Sequence, residues 1–262
     1  EFISYDDPDL IVLPEAAYPG NFTVEFTRSP IYEAVRRHGI PALIGGIRLI
    51  DYEHDYNSAF LISGQGKVMQ AYNKIVLVPF GEYIPFKWFF SLFGLTKFAY
   101  SLGVSDFTHG QEYTVFNLPL AEKRARFASL ICFEDLFPYL SRRFVRHGAQ
   151  FLVVITNDAW YGKTAAAHQH LQASVFRAVE NRCYVVRSAN TGVSGFISEQ
   201  GEVLNTVKSK DGEEIFVTGG VSRPVRIDPR PTFYQYGGFA FKYLCVVCVC
   251  LYFGRRERMM EV

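Results

Sequence analysis

The feature of the sequence that most restricts its fold is a series of short apolar runs that alternate with segments of helical periodicity. The apolar runs predict strands over 10–13, 41–50, 56–62, 67–72, 113–118, 126–132, 151–156, 183–188 and 193–198. Apolar residues at helical spacing predict helices over 31–38, 135–147 and 166–182. The strands 56–62 and 67–72 flank a Ser-Gly-Gln-Gly turn, which predicts a hairpin. Strands mixed with helices in this way favour an α/β sandwich in which helices cover sheets.

Composition excludes several classes of protein. There are 27 Lys and Arg residues against 26 Asp and Glu residues, which gives a formal net charge of +1. Nucleic-acid-binding domains usually carry a marked basic excess, so a nucleic-acid partner is not expected. The hydrophobic content of 49% excludes a disordered chain. The five cysteines are odd in number and three of them lie in one apolar segment, so a disulfide framework is not expected either.

One segment, Tyr83–Phe107, holds nine aromatic residues and has neither helical nor strand periodicity. It is too long for a plain connection, which predicts a lid or a substrate-binding loop. The lid candidates are Trp88, Phe89 and Phe90. The alternative is a loop folded over the core.

A second segment, Gly237–Phe253, is apolar except for Lys242 and is followed by a cluster of basic residues. We predict a C-terminal transmembrane helix, at the short end of the ~20 residues that such a span needs. Lys242 lies close enough to one end to reach the lipid headgroups. The basic residues place the tail 254–262 in the cytoplasm and residues 1–236 outside. The alternative is a helix buried in the core.

Three predicted strand ends carry a side chain with catalytic potential. Glu15 follows the first strand, Lys74 follows the hairpin, and Cys132 ends a later strand. Strand ends in α/β proteins converge on shared pockets. A thiol needs a base or a nearby positive charge to become a nucleophile, so Glu15 is a candidate base and Lys74 a candidate for stabilising an oxyanion. Singly, they are explained by packing or by surface charge; their occurrence together favours a catalytic triad.

The order Glu, Lys, Cys and the residues around it resemble the nitrilase (carbon–nitrogen hydrolase) superfamily, and within it the apolipoprotein N-acyltransferase family. The resemblance rests on the segments 14–20, 72–74, 77–85, 132–134, 156–162, 169–172, 177–181 and 189–192. It extends over Asp9–Phe253, and its PFGEYIP run and its TNDAW-to-NTG series are specific. It implies a nitrilase-like α-β-β-α sandwich with a Glu-Lys-Cys triad.

The resemblance implies a role for each triad residue. Cys132 is the nucleophile that takes an acyl group as a thioester, and Glu15 is the general base. Lys74 stabilises the tetrahedral oxyanion, with the backbone N–H of Phe133 as a second donor.

The resemblance also assigns supporting residues. Glu82 and Glu134 orient Lys74 and an incoming amine, and Asn157 and Trp160 lie near the substrate entrance. Neither a metal nor another cofactor is implied, because the two histidines of the helix 166–182 are two residues apart and point in different directions.

The residues after Cys132 help to choose within the superfamily. Soluble amidases commonly have Cys-Tyr-Asp-x-Arg-Phe-Pro, whereas this chain has Cys-Phe-Glu-Asp-Leu-Phe-Pro and lacks the arginine. That difference favours the acyltransferases, whose acyl donor is a phospholipid and whose acceptor is a diacylglyceryl apolipoprotein. The expected location is the bacterial inner membrane, with the catalytic domain on the periplasmic face. An amidase acting on a small amide and a membrane-tethered, non-catalytic module remain alternatives.

The resemblance and the apolar C-terminal segment together predict three regions in this chain. Residues 1–236 form the catalytic domain, 237–253 the transmembrane helix and 254–262 a basic cytoplasmic tail. Members of the family also have membrane helices before the catalytic domain and a first strand and helix before the strand of the glutamate. Neither is found here, so we expect the sequence to be a fragment.

Overall fold

Two β-sheets form the centre of the protein in a computed structural model that describes residues 8–22, 25–50, 54–94, 96, 100–101, 103–120 and 124–260. The strands are β1 Ile11–Val12, β2 Tyr18–Asn21, β3 Ala42–Leu49, β4 Asp55–Ile62, β5 Val68–Asn73, β6 Phe116–Pro119, β7 Arg124–Ile131, β8 Phe151–Asn157, β9 Val185–Asn190, β10 Gly195–Ile197 and β11 Val203–Thr206. The α-helices are α1 Pro30–His38, α2 Lys87–Leu92, α3 Pro138–Arg146, α4 Ala166–Asn181, α5 Phe233–Gly237 and α6 Phe241–Met260.

The order of the strands brings the ends of several of them to one edge. In the first sheet the order is β1-β3-β4-β5, with β2 also paired to β3. In the second sheet the order is β11-β10-β9-β8-β7-β6, and β7, β8 and β9 are parallel. Parallel neighbours end on the same side of a sheet, so the residues that follow β7 and β8 lie close together.

The two sheets pack face to face between layers of helices. Along the first sheet, Leu43 and Leu61 point into a core shared with the second sheet, whereas Ile44 and Phe60 point to the other face and pack with Val35 of α1. This alternation is the two-residue period of a strand. Helices α3 and α4 contribute to the shared core and contact β7 and β9 respectively. The layers are therefore α-β-β-α, which confirms the predicted sandwich.

The predicted strands and helices are present with shifted ends, and the short elements β2, β11, α2 and α5 of the described residues were not predicted. The largest shift is in the predicted helix 135–147, which is two elements. A 3-10 helix spans Cys132–Leu136, and α3 begins at Pro138. Proline lacks an N–H and its fixed φ suits the first position of a helix, so it separates the two.

The structure does not support the predicted transmembrane helix over Gly237–Phe253. Gly237 ends the short helix α5, and a 3-10 turn leads to α6, which continues to Met260 through most of the predicted tail. Within the described part of the chain, no helix has both the length and the apolar character needed to cross a bilayer. The reason is charge: between Lys242 and Arg255 only residues 243–254 are uncharged, a length of about 18 Å, against a hydrocarbon thickness of about 30 Å.

The described part of the aromatic segment contains the helix α2. Trp88 is 68% exposed, and Phe86 and Phe93 are exposed as well, so the alternative of a loop folded over the core does not hold for this helix. Phe98, which belongs to the same predicted segment, lies outside the described residues.

Candidate active site

Glu15 lies in a turn that follows β1 and is held close to the neighbouring strand β3. A Cβ atom added to Gly45 would be 2.7 Å from the Cα of Glu15, so β3 needs glycine there. The carboxylate is buried and both of its oxygens are occupied. Oε1 accepts a hydrogen bond from Asn57 Nδ2 (2.7 Å), and Oε2 accepts one from the backbone N–H of Asn157 (2.8 Å). These bonds fix the direction in which the candidate base points.

Lys74 follows β5 directly and is buried, with 1% of its surface exposed. Its Nζ lies 2.9 Å from Glu82 Oε1 and 3.5 Å from Glu15 Oε1. Burial disfavours the ammonium ion, but the negative charges of Glu15 and Glu82 outweigh it, and the pKa of Lys74 is raised. Lys74 is therefore a fixed positive charge between two carboxylates.

Asn57 of β4 joins the two carboxylates and is not among the residues predicted from the sequence. Its Nδ2 donates to Glu15 Oε1 and to Glu82 Oε1 (2.8 Å). The other oxygen of Glu82 accepts from the backbone N–H of Val78, which fixes the turn that carries it (2.9 Å). The signal for Asn57 is its position, because it shares the inward face of β4 with the buried Ala59.

Cys132 follows β7 and begins the 3-10 helix. Its φ of 51° is in the left-handed region, which a residue with a Cβ adopts only at a cost. Burial, together with the charge of Glu15, raises the pKa of the thiol to about 12, although Lys74 and a hydrogen bond with the Thr156 side chain act in the opposite direction. The thiol is therefore protonated at neutral pH, and a nucleophilic role requires a base.

Glu134 lies beneath the triad and is completely buried. Its carboxylate accepts four hydrogen bonds, from Tyr72 Oη (2.8 Å) and from the backbone N–H groups of Ile75 (2.7 Å), Val76 (3.0 Å) and Ile131 (2.9 Å). Those N–H groups belong to the residues just after Lys74 and just before Cys132. Glu134 thus links the segments that follow Lys74 and precede Cys132, and its role in orienting Lys74 and an incoming amine stays a prediction.

The other predicted residues lie around this centre. Asn157 contributes its backbone to Glu15, as described above. Phe133 is partly buried, with its ring 5.1 Å from that of Phe137. Trp160, in the 3-10 helix after β8, is 86% exposed.

The lid candidates lie on α2, which follows the turn of Glu82. Trp88 and Phe89 are exposed, and Phe90 is partly buried. The ring of Phe90 lies 6.2 Å from that of Phe80, two residues before Glu82. The aromatic residues of α2 are therefore connected to the turn that carries a site carboxylate.

The two histidines of α4 have different surroundings. His168 is exposed, whereas His170 is buried between Asp135 and Asp158. Among the residues that the structure describes, no group of three or more His, Cys, Asp or Glu side chains is arranged to hold a metal ion. The surroundings of His170, which also include Arg187, were not predicted, because their members come from four separate elements.

A cysteine, a lysine and a glutamate at three strand ends of an α-β-β-α sandwich define the class of the protein. The sequence matches the carbon–nitrogen hydrolase family over residues 3–221, and the chain belongs to that family. Its relatives include the apolipoprotein N-acyltransferase of Geobacter metallireducens, which is 36% identical over 95% of this chain and 47% of that protein. The same enzyme of Aquifex aeolicus is 34% identical over 76% of this chain and 43% of that protein. The chain thus spans less than half the length of these two relatives.

Solved structures agree with the fold. A mutant of the amidase from Nesterenkonia sp. AN1, with acrylamide added at its active-site cysteine, superposes with a TM-score of 0.58 at 18% identity, over 92% of this chain and 88% of that one. A form of the same amidase with the acetamide moiety of fluoroacetamide on that cysteine superposes with a TM-score of 0.55 at 19% identity, over 86% of this chain and 75% of that one.

Proposed function

We propose that this chain carries the catalytic site of an apolipoprotein N-acyltransferase. It transfers an acyl chain from a phospholipid, by way of a thioester on Cys132, to the N-terminal amine of a diacylglyceryl-cysteine. The site of action is the bacterial inner membrane, on its periplasmic face, because both substrates are held there by their lipid chains. The observation that carries the proposal is the buried arrangement of Glu15, Lys74 and Glu82 beside the Cys132 thiol.

The first half of the reaction loads Cys132. Glu15 takes the proton of the thiol while Sγ attacks the ester carbonyl carbon of the phospholipid, and the negative charge that forms on the carbonyl oxygen is stabilised by Lys74. The C–O bond then breaks. The lysophospholipid oxygen leaves with the proton held by Glu15, and the acyl group stays on sulfur.

The second half of the reaction transfers the acyl group from Cys132 to the lipoprotein amine. The lipoprotein amine attacks the thioester carbonyl carbon and gives a proton to Glu15. The C–S bond breaks, the amide leaves, and the Cys132 sulfur recovers the proton. Glu15 thus acts as the base in both halves of the reaction, and Lys74 stabilises the oxyanion that forms in each half.

The relatives support acyl transfer to an amine over hydrolysis of a small amide. Two of them are named apolipoprotein N-acyltransferase and match most of this chain at 34–36% identity, whereas the amidase structures share 18–19%. The exposed aromatic residues of α2 also suit a donor with a hydrocarbon chain better than a small amide soluble in water.

Replacing Cys132 tests the proposed intermediate directly. After incubation with phospholipid vesicles, the unaltered protein should gain the mass of one acyl chain, and neutral hydroxylamine should remove it. Cys132→Ala should gain none, because the sulfur beside Glu15 and Lys74 is lost. Intact-mass spectrometry measures both.

The matched control is Cys245→Ser, which removes an exposed thiol of α6 and should leave the adduct unchanged. A hydroxylamine-labile adduct on Cys132→Ala would refute the assignment. Addition of a diacylglyceryl lipopeptide should discharge the adduct to an amide. Discharge to free fatty acid alone, or ammonia release from simple amides, would instead favour an amidase, and no adduct at all would favour a non-catalytic module.

The aromatic residues of α2 are proposed to contact the acyl donor. Replacing Trp88, Phe89 and Phe90 together by alanine should slow loading from long-chain phospholipid about tenfold, because each ring contributes apolar contact area. The fold should persist, since Trp88 and Phe89 are exposed. The rate of adduct formation measures the effect, with circular dichroism as the check on folding; unchanged loading would exclude a role for α2.

A further inference from the structure

Four charged side chains form a closed cluster behind the nucleophile, called here the ion cluster. Its members are Asp135, Asp158, His170 and Arg187, and all four are buried. Arg187 donates from Nη1 to Asp135 Oδ2 (3.1 Å) and from Nη2 to Asp158 Oδ2 (3.0 Å). His170 lies between the remaining carboxylate oxygens, with Nδ1 2.8 Å from Asp158 Oδ1 and Nε2 2.9 Å from Asp135 Oδ1.

The geometry fixes the charge of His170. A carboxylate oxygen only accepts, so both ring nitrogens must donate and the ring is an imidazolium. The cluster then holds two positive and two negative charges and is neutral as a whole. Burial disfavours the charged ring, but the bonds to the two aspartates outweigh it, and the pKa of His170 is raised to about 9.

Polar groups of several other residues surround the ion cluster. Thr156 of β8 donates to Asp158, and Ser174 and Arg177 of α4 donate to Asp135. Arg187 also donates to Ser174, and the ring of Tyr161 lies 6.1 Å from that of His170. The positive charge of Arg187 opposes protonation of the ring.

Two connections run from the ion cluster to Cys132. The first is the 3-10 helix Cys132–Leu136, which contains Asp135, so the cluster anchors the turn that holds Cys132 in its left-handed conformation. The second is Thr156, whose hydroxyl donates to Asp158 Oδ1 (2.8 Å). Thr156 lies beside Cys132 because Ile155 of β8 is paired with Ile131 of β7, and a hydrogen bond from its side chain acts to lower the pKa of the thiol.

Thr156 has one hydroxyl proton for two partners. With the thiol protonated, that proton lies on the bond to Asp158. When Cys132 loses its proton, the hydroxyl can turn and donate to the sulfur, provided that Asp158 Oδ1 keeps another donor. His170 is that donor, because its Nδ1–H points at the same oxygen.

We propose that His170 is a positioning residue for the nucleophile: as an imidazolium it satisfies Asp158, and so releases the Thr156 hydroxyl to stabilise the Cys132 thiolate. The relevance to acyl transfer rests on the proposed function. The effect on the sulfur does not, since it concerns the reactivity of one thiol.

The test measures alkylation of Cys132 by iodoacetamide, followed by mass spectrometry of its peptide, with the peptide of the exposed Cys245 as the internal reference. His170→Gln should slow alkylation of Cys132 about tenfold, equivalent to one unit in thiol pKa. Thr156→Val, which keeps the shape but removes the hydroxyl, should do the same, whereas Thr156→Ser should retain the rate.

The double variant separates positioning from mere structural support. If His170 acts through Thr156, His170→Gln adds no further loss to Thr156→Val; independent effects would multiply and would overturn the proposal. His168→Gln, two residues away on the exposed side of α4, is the matched control and should react at the unaltered rate.

Two further outcomes decide the remaining cases. If His170→Gln does not fold, the alkylation rates of Cys132 in Thr156→Val and Thr156→Ser still test the proposal. Equal rates in these two variants would overturn it. No phospholipid is present in these reactions. A failure of acyl transfer with the coupling intact would therefore count against the proposed function alone.

Discussion

Replacing Lys74 by methionine is expected to reduce loading of Cys132 by about a thousandfold, the upper range for loss of one oxyanion-stabilising group. It should also lower the free energy of unfolding by about 3 kcal/mol, because removing one partner of a buried ion pair leaves the other charge uncompensated. Both effects follow from the position of Nζ, within 3.5 Å of Glu15 and Glu82. Methionine keeps the length of the side chain and removes its charge.

The two effects can be measured separately. Urea denaturation gives the stability, and the rate of adduct formation gives the activity. Adding Glu82→Gln to Lys74→Met removes one of the two carboxylates that have lost their cationic partner, so it should restore part of the stability and none of the activity. Lys87→Met is the control for stability: its partner Asp106 is also exposed, and a loss below about 1 kcal/mol is expected. Loading by Lys74→Met at a rate within tenfold of the unaltered protein would remove Lys74 from the triad.

The ion cluster makes stability depend on pH in the neutral range. The pKa of His170 is raised to about 9 in the folded state, whereas an unperturbed histidine titrates near 6.5. The folded state therefore holds this proton more tightly. Its contribution, about 3 kcal/mol, is fully present below about pH 6.5 and is lost as the pH rises through about 9.

Urea denaturation at several pH values measures this contribution. The free energy of unfolding should fall by about 2 kcal/mol between about pH 6 and about pH 8. His170→Gln should lack this fall, so that its curve approaches that of the unaltered protein as the pH rises. The exposed His168→Gln is the control and should follow the unaltered protein. Parallel curves for His170→Gln and the unaltered protein would show that the imidazolium does not contribute.

The parts of the site that the sequence predicts are those with a local signal. Glu15, Lys74 and Cys132 each follow an apolar run, and strand ends meet in this class of fold, so the structure brings Lys74 close to Glu15 as expected. Asn57 and Arg187 have no such signal. Each lies within a strand, and its importance depends on partners far away in the sequence, 52 residues away for Arg187 and Asp135.

The predicted transmembrane helix lacks support in the structure for a different reason. Hydropathy treats Gly237–Phe253 as one uninterrupted run, but a helix cap at Thr232 starts a separate short helix that ends at Gly237. What remains apolar in α6 lies between Lys242 and the basic residues that follow. A hydropathy sum over a window of residues detects neither the end of α5 at Gly237 nor the shorter apolar length that this leaves in α6.

The left-handed backbone of Cys132 sets activity against stability at a single position. A conformation of this kind costs a residue with a Cβ about 1–2 kcal/mol, and glycine adopts it freely. Cys132→Gly would relieve that cost while removing the sulfur. Under the proposed function, relief of this backbone cost and retention of the thiol are therefore opposed at residue 132.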